Sequence, residues 1–260
     1  MENLNLFSLK DKVILVTGGY GNLGKSIVSG LIDAGGTVVV LGRDKNKFNK
    51  TFGARKQNLF FEFADVSNSD TIIQAFKNIK GYFKKIDVLI NNAVYLKGDA
   101  SGPLTDEEWQ YSIDGSLNSV YRCIREIIPY FVETGSGKII NVSTMYGVVA
   151  PDFSVYSGAE EFTNPAHYEA GKAGVIQLTR YYASLLGKRN ILVNAVSPGP
   201  FPGEEARKNK KFIKNLSQRN PLKRVGHPDE LKGIFIFLSS GASNFITGQN
   251  ILVDGGWTCV

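Results

Sequence analysis

Seven short apolar runs recur along the chain, and segments with apolar residues at helical spacing separate most of them. Residues 13–16, 37–41, 58–63, 87–90, 138–142, 191–196 and 249–254 read as strands, bounded by Gly, Pro, Asn and Asp. Most are apolar at successive positions, the pattern of a strand buried on both faces. Helical spacing starts at Lys25 and returns over 69–84, where Ile72, Ile73, Phe76, Ile79 and Phe83 share a side. It returns again over 105–131 with a break around Gly115, over 166–186, and over 228–240. Residues 145–165 read as loop, and 203–224 as a polar, lysine-rich segment. Strands alternating with helices, with no repeat or linker, predict an α/β protein. It is a single Rossmann-fold domain over 1–260, a doubly wound seven-stranded parallel sheet with helices on both faces.

The first unit carries the clearest chemistry. The run Val13-Ile14-Leu15-Val16 leads into Thr17-Gly18-Gly19-Tyr20-Gly21-Asn22-Leu23-Gly24, and a helix follows. Glycines there remove the Cβ and allow positive φ, so backbone N–H groups can approach a pyrophosphate on the helix N-terminus. Gly18, Tyr20, Asn22, Leu23 and Gly24 are therefore candidate dinucleotide contacts. The second strand ends at Gly42-Arg43-Asp44, with no carboxylate at the tip and an arginine fork that suits a 2′-phosphate. This favours NADP over NAD, although Asp44 could still serve a ribose. Asp65, before Val66, could accept an adenine amino group or cap the next helix. Asn92 and Ala93, at the end of the fourth strand, should face the same crevice.

Composition changes this picture little. The formal charge of +6 is a mild bias, and no stretch mixes dense Lys/Arg with stacking aromatics, so no nucleic-acid partner is expected. Cys123 and Cys259 lie far apart, which gives neither a disulfide framework nor a metal spacing. Without a leader-like start or a long apolar run, the expectation is a soluble cytoplasmic protein with no membrane partner.

Tyr168 and Lys172 stand four apart in a predicted helix and so share a face. An ammonium beside a phenol lowers its pKa, making a proton donor for an alkoxide or, in reverse, a base. A hydroxyl from Ser143 or Thr144, at the end of the fifth strand, could hold a substrate carbonyl.

With these motifs in view, the chain from Phe7 to Trp257 resembles a short-chain dehydrogenase/reductase. The motifs are Thr17-Gly18 with Gly24, Asp65-Val66, Asn91-Asn92-Ala93, Tyr168 with Lys172, Asn194-Ala195-Val196-Ser197-Pro198-Gly199, and Thr247-Gly248-Gln249 followed by Asp254-Gly255-Gly256. The resemblance implies hydride transfer between a nicotinamide and an alcohol or ketone, with Tyr168 as acid/base. It implies Lys172 on the nicotinamide ribose, and Pro198 and Gly199 against the cofactor. It also implies a homotetramer or homodimer. Asn22 replaces the middle glycine of the loop, Val94 replaces a glycine after Ala93, and the tetrad asparagine falls on Ser116. Thr144 stands for the substrate-binding serine, and Gly203 for a threonine that meets the nicotinamide amide.

The end Gly255-Gly256-Trp257 and the long loop before Tyr168 resemble reductases of sugars and sugar acids. A 3-oxoacyl reductase and a catalytically weak binding or scaffold protein are the alternatives. Residues 203–224 fall where the family carries a substrate lid. They hold eight Lys/Arg against Glu204 and Glu205, an excess equal to that of the whole chain. The expectation is an anionic small-molecule substrate held partly by Arg207, Lys211 or Arg224.

Overall fold

The computed structural model describes residues 6–53, 57–98 and 103–260. One seven-stranded sheet holds β1 (Val13–Thr17), β2 (Thr37–Gly42), β3 (Leu59–Phe63), β4 (Val88–Asn91), β5 (Gly137–Val142), β6 (Ile191–Pro198) and β7 (Asn250–Val253). Its order is β3-β2-β1-β4-β5-β6-β7, and every neighbouring pair is parallel. The chain winds outward from β1 to β3, then returns to lay β4 beside β1 and winds out the other way. The strand order therefore reverses between β1 and β4, and a crevice opens there at the carboxyl ends.

The helices are α1 (Asn22–Asp33), α2 (Lys45–Phe52), α3 (Ser69–Phe83), α4 (Asp106–Ile113), α5 (Ser119–Thr134), α6 (Ala166–Leu186), α7 (Glu204–Lys208), α8 (Lys210–Arg219) and α9 (Lys232–Ser239). The two-fold pleat sorts each strand between two cores. Val13 and Leu15 pack with α3, α5 and α6, while Ile14 and Val16 pack with α1, α2 and α9. The same division repeats in β2 and β4, which is why these strands are apolar at successive positions.

The predicted break at Gly115 is a π turn, Asp114–Asn118, between α4 and α5. A Cβ on Gly115 would stand 2.0 Å from the Tyr95 carbonyl oxygen, so the helix can pass the β4 loop only with glycine there. The expected loop over 145–165 is three short 3₁₀ turns, Met145–Gly147, Phe153–Tyr156 and Glu160–Phe162. Beneath α8 they build a third, aromatic core with Phe212, Leu216 and Trp257.

Candidate active site

A cleft of about 810 Å³ runs across the carboxyl ends of the strands, from Asp65 and Arg43 at one end to Phe212 and Leu216 at the other. Gly18, Tyr20, Asn22, Leu23, Gly24, Arg43, Asp65, Val66, Asn92, Ala93, Thr144, Tyr168, Lys172, Pro198 and Gly199 all line it, as does Ser143. Ser116, Arg207, Lys211 and Arg224 do not.

The glycine loop is a cradle that side chains would fill. Gly18 has φ +62°, and a Cβ there would meet the Ala93 Cα at 3.0 Å. On Gly24 a Cβ would stand 2.6 Å from the Gly18 oxygen and 2.8 Å from the Gly19 Cα, so α1 can start this close to β1 only with glycine. Gly21 caps α1 without a side chain, and the first turn carries no acid. The N–H groups and positive end of α1 are thus uncompensated by the protein, which fits a pyrophosphate. Asn22 is the first residue of α1.

Side chains from three strands hold this cradle rigid. Thr17 Oγ1 accepts from the Asn92 and Ala93 amides at 2.9 and 3.0 Å, and Asn92 Nδ2 returns bonds to the Thr17 and Gly18 carbonyls, each at 3.0 Å. A buried ladder continues it, from Asn91 Nδ2 to Asn141 Oδ1 (2.8 Å) and from Asn141 Nδ2 to Thr179 Oγ1 on α6 (2.9 Å). Both β4 and β5 are thereby tied to the helix that carries Tyr168.

At the far end Asp65 Oδ1 accepts from the Ser67 amide and hydroxyl at 2.9 and 2.7 Å, and Arg43 lies 3.6 Å from Oδ2. Partial burial opposes ionisation, but the Ser67 bonds and Arg43 outweigh it and hold the carboxyl below its usual range. Asn68, not Asp65, caps α3. Asp44 caps α2 through the Lys47 amide at 2.8 Å.

Tyr168 and Lys172 sit at the centre. Lys172 is fully enclosed, its ammonium donating to the Val142 carbonyl at 2.7 Å and lying 5.9 Å from the Tyr168 ring centroid. Burial lowers its pKa to about 8. Burial also raises Tyr168 to about 12, with Glu169 adding to the rise and the Thr144 hydroxyl opposing it. The expected lowering of the phenol by Lys172 is therefore not what this arrangement produces, because desolvation outweighs it and the ammonium is directed to β5. Ser143 Oγ donates to the Lys172 carbonyl at 2.8 Å, fixing α6 to the end of β5. Thr144 is left as the strand-end hydroxyl beside Tyr168.

Ser116 lies in the π turn, fully buried, and donates to the Ser112 carbonyl at 2.7 Å. A Cβ on Gly171 would stand 1.9 Å from its hydroxyl, so Ser116 is a packing contact between the turn and α6. The charged side chains of 203–224 are also used elsewhere. Arg207 donates to the Pro202 and Gly226 carbonyls at 3.1 and 2.6 Å, and Arg224 forms a fork with Glu230 at 2.6 Å on both nitrogens. Lys211 lies against Gly158. The amphipathic α8 turns Phe212 and Leu216 inward, which leaves its cations outside.

The end of the cleft beyond Tyr168 is instead aromatic. Phe162 stacks on Phe212 at 5.0 Å, Phe212 on Tyr156 at 5.6 Å, and Tyr146 meets Trp257 edge-on at 6.2 Å. Asn164 joins this lining. Among the described residues the buried Tyr146 hydroxyl and Glu169 Oε1 have no partner in hydrogen-bonding geometry, and burial raises Glu169 to about 7. Sequence reasoning missed Tyr146, Tyr156, Phe162 and Asn164, because 3₁₀ turns leave no periodicity to read. Among the described residues no group of His, Cys, Asp or Glu could hold a metal ion, and no helix is long and apolar enough to cross a membrane.

Comparison with known proteins agrees with this geometry. The protein-family model adh_short_C2, described as "Enoyl-(Acyl carrier protein) reductase", matches residues 20–258. The 3-oxoacyl-(acyl-carrier-protein) reductase FabG of Staphylococcus epidermidis is 32% identical over 253 residues, covering 95% of this chain and 98% of that protein. The gluconate 5-dehydrogenase of Burkholderia cenocepacia, solved with NADP and tartrate, superposes with a TM-score of 0.88 at 26% identity, over 99% of each chain. A short-chain dehydrogenase from Leptospira borgpetersenii, solved with bound NAD+, gives 0.84 at 30% identity, over 96% of this chain and 94% of that one. With the glycine cradle, the strand-end asparagines and the Tyr168–Lys172 pair all in place, the chain is an oxidoreductase of the short-chain dehydrogenase/reductase family.

Proposed function

We propose that the protein transfers hydride between NADP and a hydroxyl or ketone carbon of a compact, polar small molecule of the sugar or sugar-acid kind. The observation that carries this reading is the continuity of one cleft, in which Tyr168, Lys172 and Thr144 stand between the Arg43 end and an aromatic chamber. A bound nicotinamide dinucleotide supplies the hydride. Gly18, Leu23 and the amides at the start of α1 would hold its pyrophosphate, Asp65 and Val66 its adenine, and Asn92, Ala93, Pro198 and Gly199 the nicotinamide side.

Tyr168 is protonated at neutral pH, since burial holds it near 12, so its O–H is ready for the alkoxide oxygen that forms on reduction. Thr144 orients the carbonyl, and Lys172, charged below about pH 8, supports negative charge developing at the phenol. The protonated phenol is the form that serves carbonyl reduction, whereas the reverse reaction needs the phenolate.

Flat aromatic walls suit the C–H face of a ring, while the Tyr156 and Asn164 side chains offer hydrogen bonds to hydroxyls. Negative charge on the substrate finds no cation of 203–224 in the cleft, so an anionic group would have to draw those side chains inward. The apolar chamber and the likeness to FabG support a second reading, a 3-oxoacyl reductase. Loss of NADPH absorbance over a panel of keto-sugars, keto-sugar acids and a 3-oxoacyl thioester tests both. Turnover confined to the thioester would overturn the first reading, and no turnover with any ketone would overturn both.

A further inference from the structure

Where β2 ends, a phenol from the glycine loop fills the space of a strand-end side chain. The Tyr20 hydroxyl oxygen accepts from the Arg43 amide at 3.1 Å and from the Asp44 amide at 3.3 Å. Its ring lies so close on Gly42 that a Cβ there would stand 2.5 Å from the ring and from its oxygen. Gly42 is therefore a glycine because Tyr20 needs the room. A carboxylate at that position would accept from ribose hydroxyls, but the phenol has the opposite polarity. With two N–H groups already pointing at its oxygen, its own proton is what it has left to offer. Hydrogen bonds in series polarise one another, so the two amides make that proton a better donor.

The surroundings favour an anion as the acceptor. The Lys47 ammonium lies 5.8 Å from the Tyr20 ring centroid, and the Arg43 side chain lines the same end of the cleft. The nearby carboxylates are committed, Asp44 to the Lys47 amide and Asp65 to Ser67 and Arg43.

We propose that Tyr20 is a specificity-determining residue, a phenol whose lone pairs the chain's own amides occupy so that its O–H donates to the 2′-phosphate of NADP. The proposal rests on the dinucleotide reading above and deepens it. Tyr20, rather than Arg43 alone, distinguishes a phosphomonoester from a bare ribose, and Lys47 adds charge without geometry. Tyr20→Phe keeps the ring on Gly42 and removes only the hydroxyl.

The test is calorimetric titration of the full-length protein with NADPH, NADH, adenosine 2′,5′-bisphosphate and adenosine 5′-monophosphate, none of which requires turnover. The wild type should prefer both 2′-phosphorylated ligands. Tyr20→Phe should weaken those two by about ten- to hundredfold, the range for a hydrogen bond to a charged group, and leave the other two unchanged. Gly42→Ala, which drives the ring off the amides, should reproduce the loss, with melting temperature checked for each variant. A wild type that prefers the 2′-phosphorylated ligands while Tyr20→Phe keeps the same ratios overturns the proposal alone. Tighter NADPH binding by Tyr20→Phe also overturns it, since the phenol would then be an obstacle. A wild type that prefers NADH and the monophosphate overturns the NADP reading along with it.

Discussion

Lys172 offers a perturbation whose size follows from the structure and whose readout needs no substrate. Its ammonium is enclosed and donates to the Val142 carbonyl at 2.7 Å, and burial lowers its pKa from 10.5 to about 8. The native state therefore binds this proton less tightly than the unfolded chain does. Stability rises with pH wherever the unfolded state holds more protons, so Lys172 contributes a rise between about pH 8 and 10.5. At 1.36 kcal/mol per pKa unit, the rise is about 3 kcal/mol in total. Below pH 8 that amount stands as a cost of keeping the charge inside.

Lys172→Met removes the cost but leaves the Val142 oxygen without a donor, worth about 1–3 kcal/mol in the other direction. At pH 7 the variant should thus be as stable as the wild type, or up to about 2 kcal/mol more stable. By pH 10.5 it should have lost about 3 kcal/mol relative to the wild type. Burial lowers Lys138 to about 8 as well, so only the difference between the two proteins isolates Lys172. Urea unfolding of both at several pH values gives that difference. A difference that does not change with pH would show that Lys172 is not desolvated in the folded protein, and would remove the electrostatic argument for its place beside Tyr168.

Other outcomes follow from the same geometry. Tyr168→Phe should lower turnover by about 10²- to 10⁴-fold with NADPH binding nearly intact, and a variant that keeps most of its rate removes Tyr168 from proton transfer. Arg43→Ala should weaken NADPH about tenfold or more and leave NADH little changed; equal losses for both would refute its role at the 2′-phosphate. Gly24→Ala forces a Cβ onto backbone atoms at 2.6 and 2.8 Å, so it should cost about 1–3 kcal/mol of stability and weaken both dinucleotides alike. Trp257→Ala should cost about 3–5 kcal/mol, because the indole is buried against Tyr146 within its own chain; a small loss would mean that the aromatic core does not depend on it. Light scattering at micromolar concentration checks the expected homotetramer or homodimer, and a monomer ends that expectation.

The sheet was legible because buried parallel strands and amphipathic helices leave different periodicities, and the seven predicted strands match those found to within a residue or two. The glycine loop and the Tyr168–Lys172 spacing were legible for a related reason, since each compresses a three-dimensional need into a few adjacent positions. Other features depend on contacts between distant segments. Gly115 could be seen to break a helix, but only the Tyr95 carbonyl lying against it explains the π turn. The tetrad position could be counted to Ser116, but not its packing on Gly171, fifty-five residues later. The inward or outward direction of the charges on 203–224 was also hidden, because a count of lysines does not say which face of α8 is apolar.

That last point alters how the substrate end works. An amphipathic α8 can seal the chamber only by burying Phe212 and Leu216, and the same rotation sends Lys210, Lys211 and Lys214 away from the cleft. This end of the cleft is thus covered by apolar contact, with Phe162 and Tyr156 stacked on Phe212. The Lys25–Glu204 ion pair at 3.1 Å adds little, since both partners are solvent-exposed. Among the described residues at this end of the cleft, Lys172 is the one cation in the lining. The other polar side chains there include the Tyr156 and Tyr168 phenols, Ser143, Thr144 and Asn164, which offer hydrogen bonds rather than charge. The exposed cations of the lining, Arg43 and Lys47, stand at the opposite end of the cleft.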